Sequence, residues 1–478
     1  MTDWSFDRQA IRAFRFTGCS FDPASGVARL AYAFDDGPEL VETITIPGAP
    51  FDVHGERAAA VERALRLLHL IAGVSYYKAA VPPEIRIDGY TIDADTADLL
   101  QAIYRHGLGE FAYRNGIELE GKLQFPVDPA GAIVGATQVA TGPAPQGKSI
   151  AASAAPTIGQ ASSPGTHSAL VAIGGGKDSL VTIEALRAAG VAQTVTWIGG
   201  SQLIAACAER TGLPTLNIGR QLAPELFEFN RQGALNGHIP VTAVNSAILV
   251  LAAVLRGDAQ VVFSNERSAS YGSMIPGTGE VNHQWSKGWD FERRFGEHVE
   301  RQVAPGVHYY SALRPLSELA VARQFAKDDR YDAWFSSCNR NFHLLGERPV
   351  QRWCGVCPKC HFVFQALAPF MSKPRLVSIF GRNLLDDPAQ AGGYDALLEF
   401  QDHKPFECVG EGRESRAAMA ALVQRPEWRE DALVRRFERE IMPQLDPGEL
   451  AIAPLLELSG EHRIPAALWE QLRARFAD

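Results

Sequence analysis

The feature that most constrains this chain is a glycine-rich turn at residues 174–179, which read Gly-Gly-Gly-Lys-Asp-Ser. The apolar residues 169–173 precede it and predict a buried strand, and residues 180–189 predict a helix that Gly190 ends. A glycine turn between a strand and a helix exposes backbone N–H groups at the N-terminus of the helix, where phosphate groups bind. The sequence therefore predicts an α/β fold with a phosphate site at this turn.

The turn departs from the two commonest nucleotide-binding loops. A Walker A loop needs glycine where this chain has Val171, and serine or threonine where it has Asp178. A Rossmann loop needs glycine or alanine at the position of Ser179. The turn instead resembles the PP-loop of ATP pyrophosphatases, whose signature is Ser-Gly-Gly-x-Asp-Ser. That resemblance implies a PP-loop (HUP-like) fold and cleavage of ATP between its α and β phosphates.

The side chains of the turn predict a metal-assisted ATP site. A carboxylate beside a triphosphate is repelled unless a cation lies between them, so Asp178 predicts a bound Mg²⁺. Lys177 adds a positive charge, and the Ser179 hydroxyl can donate to a phosphate oxygen. At the end of the next predicted strand, Trp197 or Ile198 could flank the adenine. We predict Lys177, Asp178 and Ser179 as catalytic residues, and an ATP site formed by Gly174, Gly175, Gly176, Lys177, Ser179, Trp197 and Ile198.

Predicted strands and helices alternate after the turn. Strands are expected at residues 195–198, 215–218 and 260–263, and helices at residues 202–211 and 241–256. Such alternation predicts a doubly wound parallel sheet, whose ligands bind at the carboxyl ends of its strands. The segments expected to meet there are the turn at 174–179, residues 197–201 and residues 264–267.

Composition divides the chain into five predicted regions. Residues 136–168 are rich in Ala, Gly, Ser, Thr and Pro and predict a flexible linker, because such a segment buries little apolar surface. Before it, a strand pair at 27–34 and 40–46 and a helix at 56–71 predict an α+β domain. The regions are an α+β N-terminal domain (1–135), the linker (136–168), a PP-loop ATP pyrophosphatase domain (169–335), a zinc-binding element (336–365) and a helical C-terminal region (366–478), with surface helices at 413–421, 428–441 and 465–476.

Four of the seven cysteines lie near one another in sequence and predict a metal site. They are Cys338, Cys354, Cys357 and Cys360. Four thiolates at this spacing suit tetrahedral Zn²⁺ in a structural site, with a redox Cys-x-x-Cys pair as the alternative. The adjacent His361 could replace one thiolate. The isolated Cys19, Cys207 and Cys408 are predicted to be packing residues.

Charge and apolar patterning argue against several other classes of protein. A net charge of −9 disfavours nucleic acid as the main partner. The first residues lack the basic and apolar regions of a signal peptide, and the most apolar stretch, residues 243–255, is too short to cross a bilayer. We therefore expect a cytoplasmic protein that binds neither membrane nor nucleic acid, while its oligomeric state stays open.

Two enzyme families share the order of the glycine turn and the cysteines. Residues 170–365 resemble the 7-cyano-7-deazaguanine synthase family, which makes a nitrile at the expense of ATP and has serine at the position of Gly174. Nearly the whole chain resembles the MurL family of epimerases. The segments that carry this second resemblance are residues 68–78, 107–115, 173–179, 236–242 and 264–267 and the cysteine cluster.

The MurL resemblance implies an epimerase of peptidoglycan synthesis. It implies that the terminal L-glutamate of UDP-N-acetylmuramoyl-L-alanyl-L-glutamate is inverted to D-glutamate, while ATP is consumed to AMP and pyrophosphate. ATP would serve to convert a carboxylate into an acyl-adenylate, since the free carboxylate opposes carbanion formation at the α-carbon. Mg²⁺ and Lys177 would stabilise the charge that develops on the phosphates.

The sequence marks residues for substrate binding and proton transfer less clearly than it marks the glycine turn and the cysteines. Residues 76–78 read Tyr-Tyr-Lys and could line a ligand pocket, with an ordinary packed helix end as the alternative. We predict substrate contacts for Tyr76, Tyr77, Lys78, His238 and Arg267. The groups with suitable proton-transfer chemistry are Tyr77, His238, His283 and Lys287. Two other functions stay open: a PP-loop ligase that passes an adenylated carboxylate to an amine or ammonia, and a nucleotide-binding regulator.

Overall fold

The strands of the protein form one large sheet and one small hairpin. The structure is a computed structural model that describes residues 4–128, 168–275, 277–342, 349–401 and 403–478. The strands within these ranges are β1 (Ala13–Asp22), β2 (Val27–Phe34), β3 (Leu40–Thr45), β4 (Glu84–Ile87), β5 (Ala169–Ala172), β6 (Gln193–Ile198), β7 (Thr215–Gln221), β8 (Gln260–Phe263), β9 (Ser273–Ile275), β10 (Gly279–Val281) and β11 (His308–Ser311). The large sheet has nine strands in the order β11-β8-β5-β6-β7-β3-β2-β1-β4, and β9 pairs with β10.

Half of the large sheet is parallel, as the alternation of strands and helices predicts. Strands β11, β8, β5, β6 and β7 all pair in parallel. The chain runs from β5 outward to β7 on one side and returns to β8 on the other side, so a topological switch point lies between β5 and β8. Crevices at the carboxyl ends of such strands are where open α/β sheets bind ligands.

The other half of the sheet comes from the N-terminal region and joins the parallel half at β7. Strand β7 is three residues longer than the predicted strand at 215–218, and its extra residues pair antiparallel with β3, Gly219 opposite Thr45. The joint also holds a buried ion pair, in which Arg220 Nε lies 2.7 Å from Glu42 Oε1. Strands of the predicted N-terminal domain and of the predicted nucleotide domain therefore share one sheet.

Helices cover both faces of this sheet. Those in the described ranges are α1 (Gly55–Ala72), α2 (Val74–Tyr77), α3 (Ala94–Gly107), α4 (Gly109–Asn115), α5 (Lys177–Ala188), α6 (Gln202–Thr211), α7 (Glu225–Arg231), α8 (Val241–Arg256), α9 (Trp289–His298), α10 (Glu318–Ala326), α11 (Pro358–Leu367), α12 (Lys373–Phe380), α13 (Ala391–Leu397), α14 (Gly412–Val423), α15 (Ala432–Arg436) and α16 (Ala466–Ala477). Helix α8 has the bounds that its apolar run predicts, and Gly257 ends it in a left-handed conformation with φ of 80°.

Alternate residues of the central strands enter two different cores. In β5, Leu170 packs into the core that contains α1 and α8, whereas Val171 packs into the core that contains α5, α10 and α11. In β8 the same alternation separates Val261 from Val262. Both faces of the parallel strands are therefore buried, which agrees with the apolar runs from which these strands are predicted.

The C-terminal region packs on the second of these cores. In the described residues from 366 onward the regular elements are helical, and Trp428 and Phe476 are fully buried between them. The predicted helix at 428–441 is shorter, since α15 begins at Ala432 and a π-helical turn, Phe437–Ile441, continues it. Within the described part of the chain, no helix is long and apolar enough to span a bilayer. The predicted linker lies outside the described residues except for Ser168.

Candidate active site

The glycine turn lies between β5 and α5, at the switch point of the sheet. Gly175 has φ of +78°, a conformation that glycine adopts without strain. Gly176 is the N-cap of α5 and offers no side-chain cap, so the first N–H groups of the helix are open to a ligand. A Cβ atom at Gly176 would lie 2.5 Å from Ser337 Oγ. Both glycines are therefore needed for the shape of this turn.

The Lys177 ammonium is buried between two carboxylates. It donates hydrogen bonds to Asp178 Oδ1 and Glu318 Oε2, and its side chain is 1% exposed. Burial favours the neutral amine, but the charges of Asp178 and Glu318 outweigh it and raise the pKa of Lys177. The adjacent Ser179 hydroxyl donates to the carbonyl of Gly176 at 3.1 Å. In this arrangement the predicted catalytic lysine neutralises carboxylates of the site.

A third carboxylate completes the acidic group at the ends of β5 and β8. Glu266 is 5% exposed, and burial, followed by the charges of Glu318 and Asp178, raises its pKa to about 8. Asp178 and Glu318 carry more negative charge than Lys177 neutralises, while burial favours the protonated form of Glu266 as long as no cation is bound. Such a set of oxygen ligands suits Mg²⁺, which binds proteins through one or two carboxylates and the phosphates of a substrate. The residues present therefore fit the predicted cation.

The two residues predicted to flank adenine lie on opposite faces of β6. Trp197 is 8% exposed and packs in the core with α5 and α10, and its indole N–H has no hydrogen-bond partner among the described residues. Ile198 is half-buried and packs against the other core. Ile198 is thus the more accessible of the two at this strand end.

The four clustered cysteines converge on one point beside the glycine turn. Their ligand atoms all lie within 4.8 Å of one another, and the Sγ of Cys360 lies 3.5 Å from that of Cys357 and 3.7 Å from that of Cys354. Zn–S bonds of about 2.3 Å in a tetrahedron place the sulfurs about 3.8 Å apart, so the group fits Zn²⁺. His361 instead contacts Gln390 and stacks on Tyr394.

The cysteine cluster is tied to the turn through the residues before Cys338. The backbone N–H of Ser336 donates to the carbonyl of Gly175 at 2.9 Å, and Ser337 packs against Gly176. Ser336 Oγ in turn accepts a hydrogen bond from the Cys338 N–H at 3.2 Å. The predicted zinc element therefore supports the shape of the predicted phosphate site.

A second polar cluster surrounds Cys408, in the loop before α14. Lys287 Nζ lies 3.0 Å from Cys408 Sγ, and Lys359 Nζ donates to the Cys408 carbonyl. Burial favours the neutral thiol, but Lys287, His283 and Lys359 together outweigh it and lower the pKa of Cys408 to about 5. The prediction that Cys408 is a packing residue is wrong, because its neighbours are cationic rather than apolar.

Two histidines and a glutamate continue this second cluster toward the N-terminal region. His283 Nδ1 contacts Glu110 Oε2, the His238 and His283 ring centroids are 4.1 Å apart, and His238 Nδ1 is 4.0 Å from Glu110. Burial lowers the pKa of His283, but its hydrogen bonds to Cys408 and Glu110 prevail and raise it to about 9. Burial and the charge of His283 lower the pKa of His238 to about 3. The partners of His283 thus favour its protonated form.

The two clusters are contiguous. Lys359 Nζ, which binds the carbonyl of Cys408, lies 3.7 Å from Glu318, the partner of Lys177. The charges of Glu266 and Asp178 also act on Lys287. One continuous row of charged groups therefore runs from the glycine turn to Cys408 and on to His283.

The predicted substrate-binding residues fall in different settings. The hydroxyl of Tyr77 donates to two backbone carbonyls, that of Tyr76 accepts from the Ala223 N–H at 3.0 Å, and both side chains are fully buried. Arg267 donates to the carbonyls of Glu457 and Leu455 in the C-terminal region. The polar groups of these three residues are thus engaged by backbone groups within the fold.

Lys78 and His238 lie near the second cluster. Lys78 Nζ donates to Asn236 Oδ1 at 2.8 Å and to the Gly237 carbonyl at 3.3 Å, next to His238. Burial lowers the pKa of Lys78 to about 8. The segment at 76–78 therefore contacts the segment at 236–240 through hydrogen bonds of Lys78.

Comparison with known proteins places the chain in a family. The model of the MurL N-terminal domain matches residues 5–312, and that of the MurL C-terminal domain matches residues 334–451. The chain is 71% identical to the UDP-N-acetyl-alpha-D-muramoyl-L-alanyl-L-glutamate epimerase of Xanthomonas oryzae pv. oryzae, over 99% of both chains.

The chain belongs to the MurL family. Two further proteins of the same name are similar to it: that of Salinispora tropica is 41% identical over 88% of this chain and 87% of its own, and that of a Micromonospora species is 40% identical over 95% and 96%. No solved structure matches the chain. The resemblance to the MurL family, predicted from the sequence segments, is thus confirmed.

Five residues of the two clusters are not predicted from the sequence as site residues: Glu110, Glu266, Glu318, Lys359 and Cys408. Cys408 stands alone in sequence, and Glu318 lies at the start of an ordinary apolar helix. The other three lie in segments that a motif or a resemblance marks. Glu110 and Glu266 belong to the segments 107–115 and 264–267, which carry the MurL resemblance, and Lys359 lies inside the cysteine motif.

Proposed function

We propose that this chain is an epimerase that inverts the terminal L-glutamate of UDP-N-acetylmuramoyl-L-alanyl-L-glutamate to D-glutamate, a step of peptidoglycan synthesis. The observation that carries the proposal is the 71% identity, over 99% of both chains, to a protein of that name. The substrate is then a small molecule, and its diphosphate and carboxylates are anions that suit the cationic groups beside the turn.

We further propose that the glycine turn is a PP-loop that binds ATP. Three features support it: the left-handed Gly175, the uncapped N-terminus of α5, and the position at the switch point between β5 and β8. The N–H groups of such a helix end bind phosphate, and the helix dipole favours its charge. Gly174, Gly175, Gly176 and Ser179 would hold the phosphates, with Trp197 and Ile198 closing the adenine end.

Asp178 and Glu266 would hold Mg²⁺ beside these phosphates. Bound there, the ion would neutralise charge that develops on the leaving pyrophosphate. Lys177 would act here through Asp178 and Glu318, to which it donates hydrogen bonds. It keeps these carboxylates close together in a buried site, which without a cation would repel one another.

Activation by ATP explains how an α-proton becomes removable. The substrate α-carboxylate would attack the α-phosphorus of ATP, forming a C–O–P linkage and releasing pyrophosphate. The acyl-adenylate no longer carries the carboxylate charge, so the electron pair left by the α-proton can delocalise into the carbonyl as an enolate. Protonation on the opposite face inverts the centre, and hydrolysis returns the carboxylate and releases AMP.

The cysteine cluster and the domain order complete the proposal. Zn²⁺ on Cys338, Cys354, Cys357 and Cys360 would act structurally, since all four positions are filled by protein ligands. The N-terminal region (1–135) would contribute to the substrate site through Lys78 and Glu110, and the linker at 136–168 would connect it to the nucleotide domain (169–335). We place the protein in the cytoplasm, because four of its seven cysteines are arranged for a metal ion and none of the seven is in a disulfide bond.

The proposal is tested by the stereochemistry of the product. The purified chain is incubated with the L-glutamate substrate, Mg²⁺ and ATP, and the glutamate released by acid hydrolysis is separated on a chiral column. We expect D-glutamate and one pyrophosphate per turnover, without added ammonia. Product that forms only with ammonia, and as an amide, would instead establish the ligase function.

A further inference from the structure

The second cluster, around Cys408, has no task in the activation of a carboxylate. It lies directly beside the glycine turn and its carboxylates, where the substrate carboxylate would be activated. Lys359 contacts both the Cys408 carbonyl and Glu318, and the charges of Cys408 and Asp178 both raise the pKa of Lys287. In the acyl-adenylate the α-carbon is one bond from the activated carbonyl. A group that handles the α-proton must therefore lie at the edge of the activating site, which is where Cys408 lies.

The groups that face the Cys408 thiol come from several elements. Lys287 belongs to a 3-10 turn (Trp285–Lys287), His283 to the segment after β10, and Lys359 to α11, while Glu407 adjoins the thiol in its own loop. Three of these four groups are cationic. They favour the thiolate over the thiol, as the pKa of about 5 for Cys408 expresses.

Glu110 orients the histidine of this cluster. It contacts His283 Nδ1 and is itself 5% exposed, and the same histidine also forms a side-chain hydrogen bond with Cys408. Proteins fix the tautomer and charge of a histidine by placing it between a carboxylate and a nucleophilic or basic atom. Here it holds an imidazolium against a thiolate.

An unpaired buried atom at the same place points to a ligand. Next to the thiol, Glu407 Oε2 is buried and has no hydrogen-bond partner in the described part of the chain. Polar atoms that are taken out of water without a partner are costly, and a bound cation or substrate group would satisfy them.

We propose that Cys408 is the base that removes the α-proton of the glutamyl residue, with His283 and Glu110 as positioning residues. The Cα–H bond breaks, an S–H bond forms on Cys408, and the electron pair moves into the activated carbonyl as an enolate. Lys287 holds the thiolate before the step. The inference rests on the proposed function, since only an activated substrate has an α-proton that a thiolate can take.

The first test separates proton removal from activation. In Cys408→Ser, a serine hydroxyl replaces the thiolate, so D-glutamate formation and deuterium uptake at the α-carbon in D₂O should fall by about 100-fold or more. Pyrophosphate release with the L-substrate should continue, giving AMP and unchanged L-glutamate. The matched control is Cys19→Ser, because Cys19 lies in β1, away from the site, and burial raises its pKa to about 12.

The outcomes distinguish this inference from the proposed function. Inversion by Cys408→Ser within about threefold of the wild-type rate overturns the role of Cys408 and leaves the epimerase intact. Absence of D-glutamate with the wild-type protein refutes the proposed function itself.

A second variant decides the case in which Cys408→Ser also loses pyrophosphate release. Lys287→Gln keeps the thiol but removes the ammonium 3.0 Å from its sulfur. The acid limb of the wild-type pH profile for deuterium uptake should lie near pH 5, and in Lys287→Gln it should move up by about one unit or more. An acid limb that stays in place overturns the inference, because a purely structural Cys408 would not couple this limb to Lys287.

Discussion

A buried ion pair next to the site allows the loss of stability in a variant to be predicted from the structure. Glu292 and Arg314 are each 1% exposed, with Arg314 Nε 2.8 Å from Glu292 Oε2. Arg314 also donates to the carbonyls of Glu266 at 2.6 Å and Lys287 at 2.5 Å. The pair therefore holds the backbone of one residue from each of the two clusters.

Glu292→Gln keeps the size of the side chain and removes its charge. The Arg314 guanidinium then stays buried without a counter-charge, which should lower the free energy of unfolding by about 3–5 kcal/mol. Arg314→Met should cost more, because it leaves the Glu292 charge and two backbone carbonyls without their partner. Both variants should also lower the rate of inversion, since Glu266 and Lys287 lose a common anchor.

The matched control lies on the same helix. Glu297 is 42% exposed and pairs with Arg293 at 3.5 Å, so Glu297→Gln should cost no more than about 1 kcal/mol. Unfolding in urea, followed by tryptophan fluorescence, gives the midpoints and slopes of all three variants. Equal destabilisation by Glu292→Gln and Glu297→Gln would refute the reasoning, because burial would then have no influence on the cost.

Three further predictions concern the glycine turn and the metal sites. Asp178→Asn should abolish pyrophosphate release while the protein stays folded, as checked by a malachite-green assay coupled to inorganic pyrophosphatase and by circular dichroism; retained release would contradict the role in Mg²⁺ binding. Cys357→Ser should lose stoichiometric zinc in elemental analysis, and nucleotide affinity should fall with it. Gly176→Ala should weaken ATP binding at least about tenfold by calorimetry, because its Cβ would meet Ser337 Oγ at 2.5 Å, whereas Gly306→Ala, with open space around it, should not.

Local pattern predicts the parallel half of the fold well. The strand before the glycine turn and the buried helix α8 follow from apolar runs that end at glycine; the helix has the predicted bounds, and the strand ends one residue earlier than predicted. The parallel order follows from alternation of strand and helix. These features depend on residues that are close in sequence, so a sequence pattern contains most of the information.

The pairing of β7 with β3, which joins the parallel strands to those of the N-terminal region, could not be predicted in this way. It depends on Gly219 and Arg220, which extend β7 with a glycine and a charged residue and pair with a strand more than 170 residues earlier. Neither residue favours a strand by its own propensity. The buried Glu42 partner makes the pairing specific, and that contact exists only in the folded chain.

The same limit applies to the site residues. The glycine turn can be recognised because its residues are consecutive. Cys408 stands alone in sequence, and its low pKa arises from Lys287, His283 and Lys359, which are distant from it in sequence. The contact of Lys177 with Glu318 could not be predicted for a related reason, because Glu318 lies 141 residues away.

Inversion through an acyl-adenylate formed at the glycine turn can be followed by an oxygen label. The substrate carries ¹⁸O in both oxygens of the α-carboxylate of its terminal L-glutamate. Hydrolysis at the acyl carbon leaves the bridging oxygen on phosphorus, so mass spectrometry should find one ¹⁸O in each AMP that accompanies D-glutamate. D-Glutamate that forms without label in AMP, or at the same rate without ATP, would contradict the account.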